Sequence, residues 1–238
     1  MEAHIFDTNL IEISQQLLLK TKKHEPTASF IEVIKQTSEE TLVQQLINDN
    51  HKKAFWINIY NAHIQLILPQ NPGKYKNRAS FFGSRNIKVA GKRLSLDDIE
   101  HGILRHSKIK WSLGYLNKCF PSAFEKQQRV EKVDYRIHFA LNCGAKSCPP
   151  IIFYKPEQLD KQLDMATQSY LEGEAEYNQA DQTLALPAIM GWFRGDFGGK
   201  KKMVGLLHRL QIVPDGKTPA IRFKSYDWNL FLENYKSE

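Results

Sequence analysis

Apolar positions in the first third of the chain recur at helical intervals. Leu10, Ile13 and Leu17 mark one helical face, and Phe30, Ile31 and Ile34 begin another. Thr37-Ser38-Glu39-Glu40 reads as a capping box ahead of Leu42, Val43, Leu46 and Ile47. A fourth helix, predicted over residues 53–68 and stopping at Pro69, carries AFWINIYNAHIQLIL, which is apolar nearly all round and therefore reads as buried on most sides. Further on, residues 86–89 and 92–94 flank Ala90-Gly91 as a hairpin, and Ser95-Leu96-Asp97-Asp98 caps a helix running to about Arg105. Residues 135–141 are apolar, aromatic and few, the profile of a buried strand. A helix from near Pro156 puts Leu159, Leu163, Ala166 and Tyr170 on one face. A strand over 183–186, a helix over 202–210 and a strand over 221–226 complete the pattern. The fold class this predicts is α+β, a helical N-terminal layer packed on a small, mostly antiparallel sheet. No stretch rich in Pro, Gly or Ser is long enough to read as a linker, so one globular domain over residues 1–238 is expected.

Composition agrees with a folded chain: 42% of residues are hydrophobic and 25% charged. The formal charge of +7 admits an anionic partner, but the basic residues are scattered and the longest run is Lys200–Lys202. Without a basic helix or an RNA-reading aromatic signature, nucleic acid is not the expected partner; a small molecule or peptide substrate is. The acidic residues near the start and the lack of an apolar core with a small-residue cleavage site speak against a signal peptide. No apolar run of about 18 residues is present to span a bilayer. With three cysteines, Cys119, Cys143 and Cys148, a disulfide-built secreted scaffold is not expected and a cytoplasmic location is. Oligomeric state is not legible.

Chemistry concentrates in residues 136–150, RIHFALNCGAKSCPP. Two thiols with four residues between them sit in a turn that Gly144 allows to be tight and Pro149-Pro150 ends rigidly, with His138 just before it. A zinc site would need two ligands beyond Cys143 and Cys148 that the sequence does not offer, so neither metal nor cofactor is expected. A redox pair, a nucleophilic thiol, and two thiols packed as small hydrophobes all remain open. For catalysis, Cys148 or Cys143 is the nucleophile. Cys148 is favoured if Pro149 or Pro150 opens a helical turn that stabilises its thiolate. The base is His138 or His101, and Asp97, Glu100, Asp134 or Asp227 the orienting acid. In LSLDDIEHGILR, Asp97, His101 and Arg105 share one helical row. On the fourth helix Asn58, Asn61 and Gln65 form a polar stripe that either ties down a neighbouring backbone or helps hold a substrate.

Taken in order, AFWINIYNAH, LSLDDIEHGILR, DYRIHFALNCGAKSCPP and the closing YDWNL resemble the family known as domain of unknown function 547, over roughly residues 50–230. Gly191-Trp192-Phe193 and Asp196-Phe197-Gly198 also look like that family's aromatic stretch. The resemblance implies a mixed helix and sheet domain. It also implies that Asn58, Asn61, Glu100, His101, Arg105, His138, Cys143 and Cys148 are the residues of interest. A remoter similarity is to papain-like and transglutaminase-like cysteine enzymes, in which a nucleophilic Cys opens a buried helix; here the buried helix carries asparagines and no Cys. The resulting expectation is a cysteine-dependent hydrolase or acyltransferase-like protein. Its alternative is a non-catalytic binding or scaffold domain.

Overall fold

Four helices open the described part of the chain, residues 9–236 of a computed structural model; the reading of the first eight residues as leaderless lies outside them. Helix α1 (Leu10–Lys22) is capped by Asn9, whose Oδ1 accepts from the N–H groups of Ile11 and Glu12. Helices α2 (Ala28–Gln36) and α3 (Glu39–Gln45) follow. Ser38, one residue after the expected cap, takes the Thr41 N–H at 3.0 Å. Helix α4 (Asp49–Gln70) starts earlier than expected because Asn48 caps it, and it runs through Pro69 to Gln70. In the last turn the missing proline N–H forfeits a single bond, so the helix frays past it instead of breaking before it. Every side chain from Lys53 to Gln65 is buried, as the all-round apolar pattern requires. Helix α1 lies along α4, and Leu17, Leu18, Phe55, Trp56 and Ile59 are fully enclosed between them and their neighbours.

After a 3-10 turn (Pro72–Lys76) and the short helix α5 (Arg78–Gly83) comes the expected hairpin, β1 (Ile87–Val89) and β2 (Lys92–Leu94), antiparallel with Val89 opposite Lys92. It hangs on α2 through Ala90 and Gly91, whose N–H groups reach the carbonyls of Ile34 and Lys35. Ser95 and Asp98 then cap each other reciprocally at 3.0 Å, a capping box that starts a turn of wider winding over Asp98–Leu104. There the N–H of Arg105 bonds the carbonyl five residues back, on Glu100, a π-type geometry that often marks functional sites.

Helix α6 (Ala123–Gln128) precedes the one element of the wrong type. Residues 135–141 do not form a strand: Tyr135–Phe139 is a 3-10 turn. Asp134 caps it through the Arg136 N–H, and the Arg136 guanidinium folds back onto the same carboxylate. The turn serves two cores at once. Ile137 is buried among the N-terminal helices and Phe139 in a second cluster with Tyr170, Leu184, Leu186, Met190, Phe197 and Leu207. An apolar run of this length has no period that separates a strand from a turn bridging two cores.

The second cluster is built from α7 (Leu159–Glu174), β3 (Glu176–Asn178), β4 (Thr183–Leu186), α8 (Ala188–Trp192), α9 (Gly199–Arg209) and β5 (Ala220–Phe223). Leu159, Leu163, Ala166 and Tyr170 are buried along α7. Strand β4 has the expected limits; it pairs antiparallel with β3 and parallel with β5, so this sheet is mixed. The class is α+β, with small sheets attached to helices. Among the described residues no helix is long and apolar enough to cross a membrane.

Candidate functional site

A cleft of about 320 Å³ opens where the two cores meet. Its walls carry Asp97, Glu100 and His101 from the π-type turn, His138 from the 3-10 turn, Cys143 from the following loop, and the rings of Phe82, Trp192, Phe193, Tyr226 and Trp228. Most of the lining is apolar, with the titratable groups gathered among the rings, the usual character of a small-molecule site.

The Cys loop is held from behind by amides. Asn61 on α4 accepts the Asn142 N–H at 2.9 Å and donates to the Ala140 carbonyl at 3.0 Å. Asn142 accepts the Gly144 N–H and donates to the Pro149 carbonyl, closing the loop on itself. Gly144 has φ +85°, and a Cβ there would press to 2.6 Å from Leu68 of α4, so both the turn and the close approach require glycine. One turn earlier on α4, Asn58 clamps both backbone groups of Tyr154 at 3.0 Å. Asn58 and Asn61 are fully buried, do not line the cleft, and spend their amides on backbone. Gln65 continues the stripe by accepting the Glu233 N–H.

Within the loop the thiols are unequal. Their Sγ atoms stand 2.6 Å apart, and the Tyr226 hydroxyl reaches both at 3.2 Å. The Cys143 N–H donates to the Cys148 sulfur at 2.9 Å. Cys143 faces the cleft, whereas Cys148 lies behind it and is 5% exposed. The bond from Cys148 lowers the Cys143 pKa below the ordinary thiol value; burial opposes it, and the Tyr226 hydroxyl adds to it. Burial pushes Cys148 well up, and the neighbouring Cys143 charge adds to that. Burial also raises the Tyr226 phenol, which stays protonated as a donor to sulfur. All three cysteines are free. Pro149-Pro150 opens no helix; Ile151 instead bridges Tyr235 in extended backbone, so no helix N-terminus activates Cys148.

The histidines are distinguished by their partners. His138 Nε2 donates to Asp196 Oδ2 at 2.9 Å, and Arg105 Nε donates to the same oxygen at 2.6 Å. Nδ1 of His138 has no hydrogen-bond partner among the described residues, and the ring lines the cleft stacked on Phe193, centroids 4.0 Å apart. Burial lowers the His138 pKa below its ordinary value, against the opposing bond to Asp196, so the ring is neutral at pH 7 with Nδ1 as its acceptor. His101 is wired the other way. A guanidinium only donates, so the 2.9 Å contact from Arg105 Nη1 makes His101 Nδ1 an acceptor and leaves its proton on Nε2, 3.5 Å from Asp97 Oδ1. His138 thus offers an acceptor nitrogen at the cleft and His101 a donor. No hydrogen bond joins His138 to either thiol among the described residues.

Asp196, missed as the orienting acid, arrives 58 residues after His138. Its carboxylate is fully buried, and although burial raises its pKa, the bonds from His138 and Arg105 outweigh this and hold it below the ordinary value. Its Oδ1 and Arg105 Nη2 have no partner among the described residues. The only hint in the sequence was an acid between Gly195 and Phe197 in an otherwise aromatic stretch. Of the other acids considered, two lie away from the cleft: Asp134 pairs with Lys53 and Arg136, and Asp227 caps its own turn through the Asn229 N–H. Asp97 pairs with Lys110 at the rim, and Glu100 accepts from the Tyr60 hydroxyl at 3.4 Å. Among the described residues no three His, Cys, Asp or Glu side chains are grouped to ligate a metal.

Comparison with curated proteins and with solved structures returns no match. A family model does match, over residues 44–171, which includes α4, the π-type turn and the Cys loop: this chain belongs to the family described as protein of unknown function, DUF547.

Proposed function

We propose that the cleft is the active site of a cytoplasmic cysteine-dependent hydrolase or acyltransferase acting on a small acyl or peptide substrate. The observation that carries the reading is one cleft lined by two complementary groups: a thiol held below its ordinary pKa, Cys143, and a neutral imidazole with a free acceptor nitrogen, His138. In this scheme Cys143 sulfur attacks the acyl carbonyl, and its proton passes to His138 Nδ1 through the bound substrate or a single water. The imidazolium so formed is stabilised by Asp196. It returns the proton to the leaving group as the carbonyl–leaving group bond breaks. Water or another acceptor then attacks the thioester, giving its proton to His138, which passes it to the sulfur as the C–S bond breaks, so that the thiol and the neutral imidazole are both restored. His101 Nε2–H is the donor nearest in chemistry to a polarising group for the carbonyl oxygen. Asn58 and Asn61 support the site by fixing the backbone that carries Tyr154 and Cys143.

Incubation with p-nitrophenyl acetate, followed by intact-mass and peptide mapping, tests this reading. A single acetyl adduct on Cys143 is expected, absent in Cys143→Ser and long-lived in His138→Gln. Acetylation of Cys119 at the same rate as Cys143, or of neither, overturns it.

The 2.6 Å separation of the sulfurs favours one other reading, a redox pair. With a hydroperoxide as oxidant, the Cys143 thiolate would cleave the O–O bond to give a sulfenic acid and release the alcohol or water. Cys148 would then displace hydroxide, leaving as water, to form the disulfide. Loss of two mass units on peroxide treatment, reversed by a dithiol, would favour this reading over acyl transfer.

A further inference from the structure

Five of the thirteen large hydrophobic side chains exposed among the described residues fall between residues 111 and 120: Trp111, Leu113, Tyr115, Leu116 and Phe120. Trp111 is 77% and Phe120 96% exposed, which no packing requirement explains. The segment that carries them is nevertheless well ordered. Lys108 and Asn117 form an antiparallel bridge, the Ile109 N–H bonds the Leu116 carbonyl, and Ser112 Oγ spans the bend between the Ile109 and Leu116 carbonyls. The tip is fastened to the body where the Gly195 N–H meets the Leu113 carbonyl at 2.8 Å. Gly114, at φ +89°, lies against Asp196, where a Cβ would collide with the carboxylate. The loop is therefore a rigid projection that holds its apolar side chains in water, beside the cleft mouth to which Lys110 belongs.

Charge says what covers it. Residues 106–129 contain Lys108, Lys110, Lys118, Lys126 and Arg129 against Glu125 alone. Lys110 and Lys118 are paired with Asp97 and Glu125, whereas Lys108 and Lys126 enter no ion pair among the described residues. A second copy of the chain would bring the same positive charge against this one. An anionic surface would be attracted, and an aromatic and leucine tip rimmed by lysines is the chemistry that seats at the headgroup boundary of a bilayer. We propose that the 108–120 loop docks the protein on anionic lipid membranes, with the cleft mouth turned toward the lipid. The inference is independent of the thiol chemistry, because docking requires no reaction in the cleft.

The test is co-sedimentation of the full chain with vesicles of phosphatidylcholine, with and without about one third phosphatidylserine, across a salt series. Binding to the anionic vesicles, weakened by salt and accompanied by a blue shift of tryptophan emission, is expected. Trp111→Ser combined with Phe120→Ser is expected to lower the partition coefficient about tenfold or more at an unchanged melting temperature, since both side chains are already in water. Lys108→Glu with Lys126→Glu is expected to remove the preference for phosphatidylserine. Equal binding by the Trp111/Phe120 variant, or no binding to either vesicle, overturns the proposal. So does self-association in sedimentation velocity, or retention of a single-stranded RNA, abolished by the same variant while vesicle binding is absent.

Discussion

The amides of α4 and the polar groups of the cleft are wired in opposite ways. Asn58 and Asn61 direct both ends of their side chains onto backbone groups of Tyr154, Ala140 and Asn142, leaving nothing to offer a ligand. In the cleft, His138 spends one nitrogen on Asp196 and keeps the other open, and Cys143 is polarised by its neighbours while its sulfur faces the cavity. Burying a polar group without a partner costs about 1–3 kcal/mol. A fold that leaves such groups open in the cleft while satisfying them fully behind it separates the residues that hold the loop from those that can meet a ligand.

That division predicts variants that fail in different assays. Cys143→Ser is expected to remove about a thousandfold or more of acyl-transfer activity, read as release of p-nitrophenol, with little change in melting temperature. Activity that survives in this variant would erase the distinction between the two sets of residues. Asp196→Ala strands Arg105 and His138 together and is expected to cost about 3–5 kcal/mol in denaturant unfolding as well as the activity, because a charge is left buried without its partner. Asn58→Ala leaves the Tyr154 N–H unpaired, while its carbonyl keeps the bond from Gln15, and is expected to cost about 1–3 kcal/mol; the labelling rate of Cys143 in the folded protein stays within about twofold. If it abolishes labelling without loss of stability, the amides belong to the chemistry after all.

The smallest effect is one of pH. Burial holds His138 below its ordinary value of 6.5, despite the opposing bond to Asp196; Arg105 also lowers it and Glu100 opposes. The unfolded chain therefore takes up this proton at a higher pH than the folded one. The stabilisation is complete above about 6.5 and is lost as pH falls below it, toward the lower folded value. Buried His63 contributes in the same direction. Melting temperature is expected to fall from pH 7 to pH 5, and less steeply in His138→Gln; an equal slope in the variant would remove His138 from the account.

The scaffold half of this division was more legible in the sequence than the chemical half. Strong local patterns announced the buried α4, the Ala90-Gly91 hairpin and the cap before the Asp98–Leu104 turn, because each is decided by residues within a few positions of one another. The Asn58 and Asn61 stripe could be seen, but whether it met backbone or substrate depended on what lay opposite. The open half depends on distant partners. Asp196 reaches His138 only through the packing of the two cores, and nothing near His138 in sequence points to it. The same packing explains why residues 135–141 are not the expected strand: Ile137 and Phe139, two apart, would share one face of a strand, whereas the tight turn sends them into two different cores. Cys143 and Cys148 could be paired by spacing, but their inequality is set by the packing that turns Cys143 to the cleft and buries Cys148 behind it.

The inequality of the thiols is the central claim, and alkylation by iodoacetamide as a function of pH, resolved by residue with peptide mass spectrometry, tests it most directly. N-acetylcysteine alkylated under the same conditions serves as the standard for an ordinary thiol. The predicted result is a Cys143 rate that reaches half its plateau at a lower pH than that of the standard, with Cys148 unlabelled until the protein unfolds. Cys148 labelled as fast as Cys143, or Cys143 titrating at or above the standard, would contradict the account.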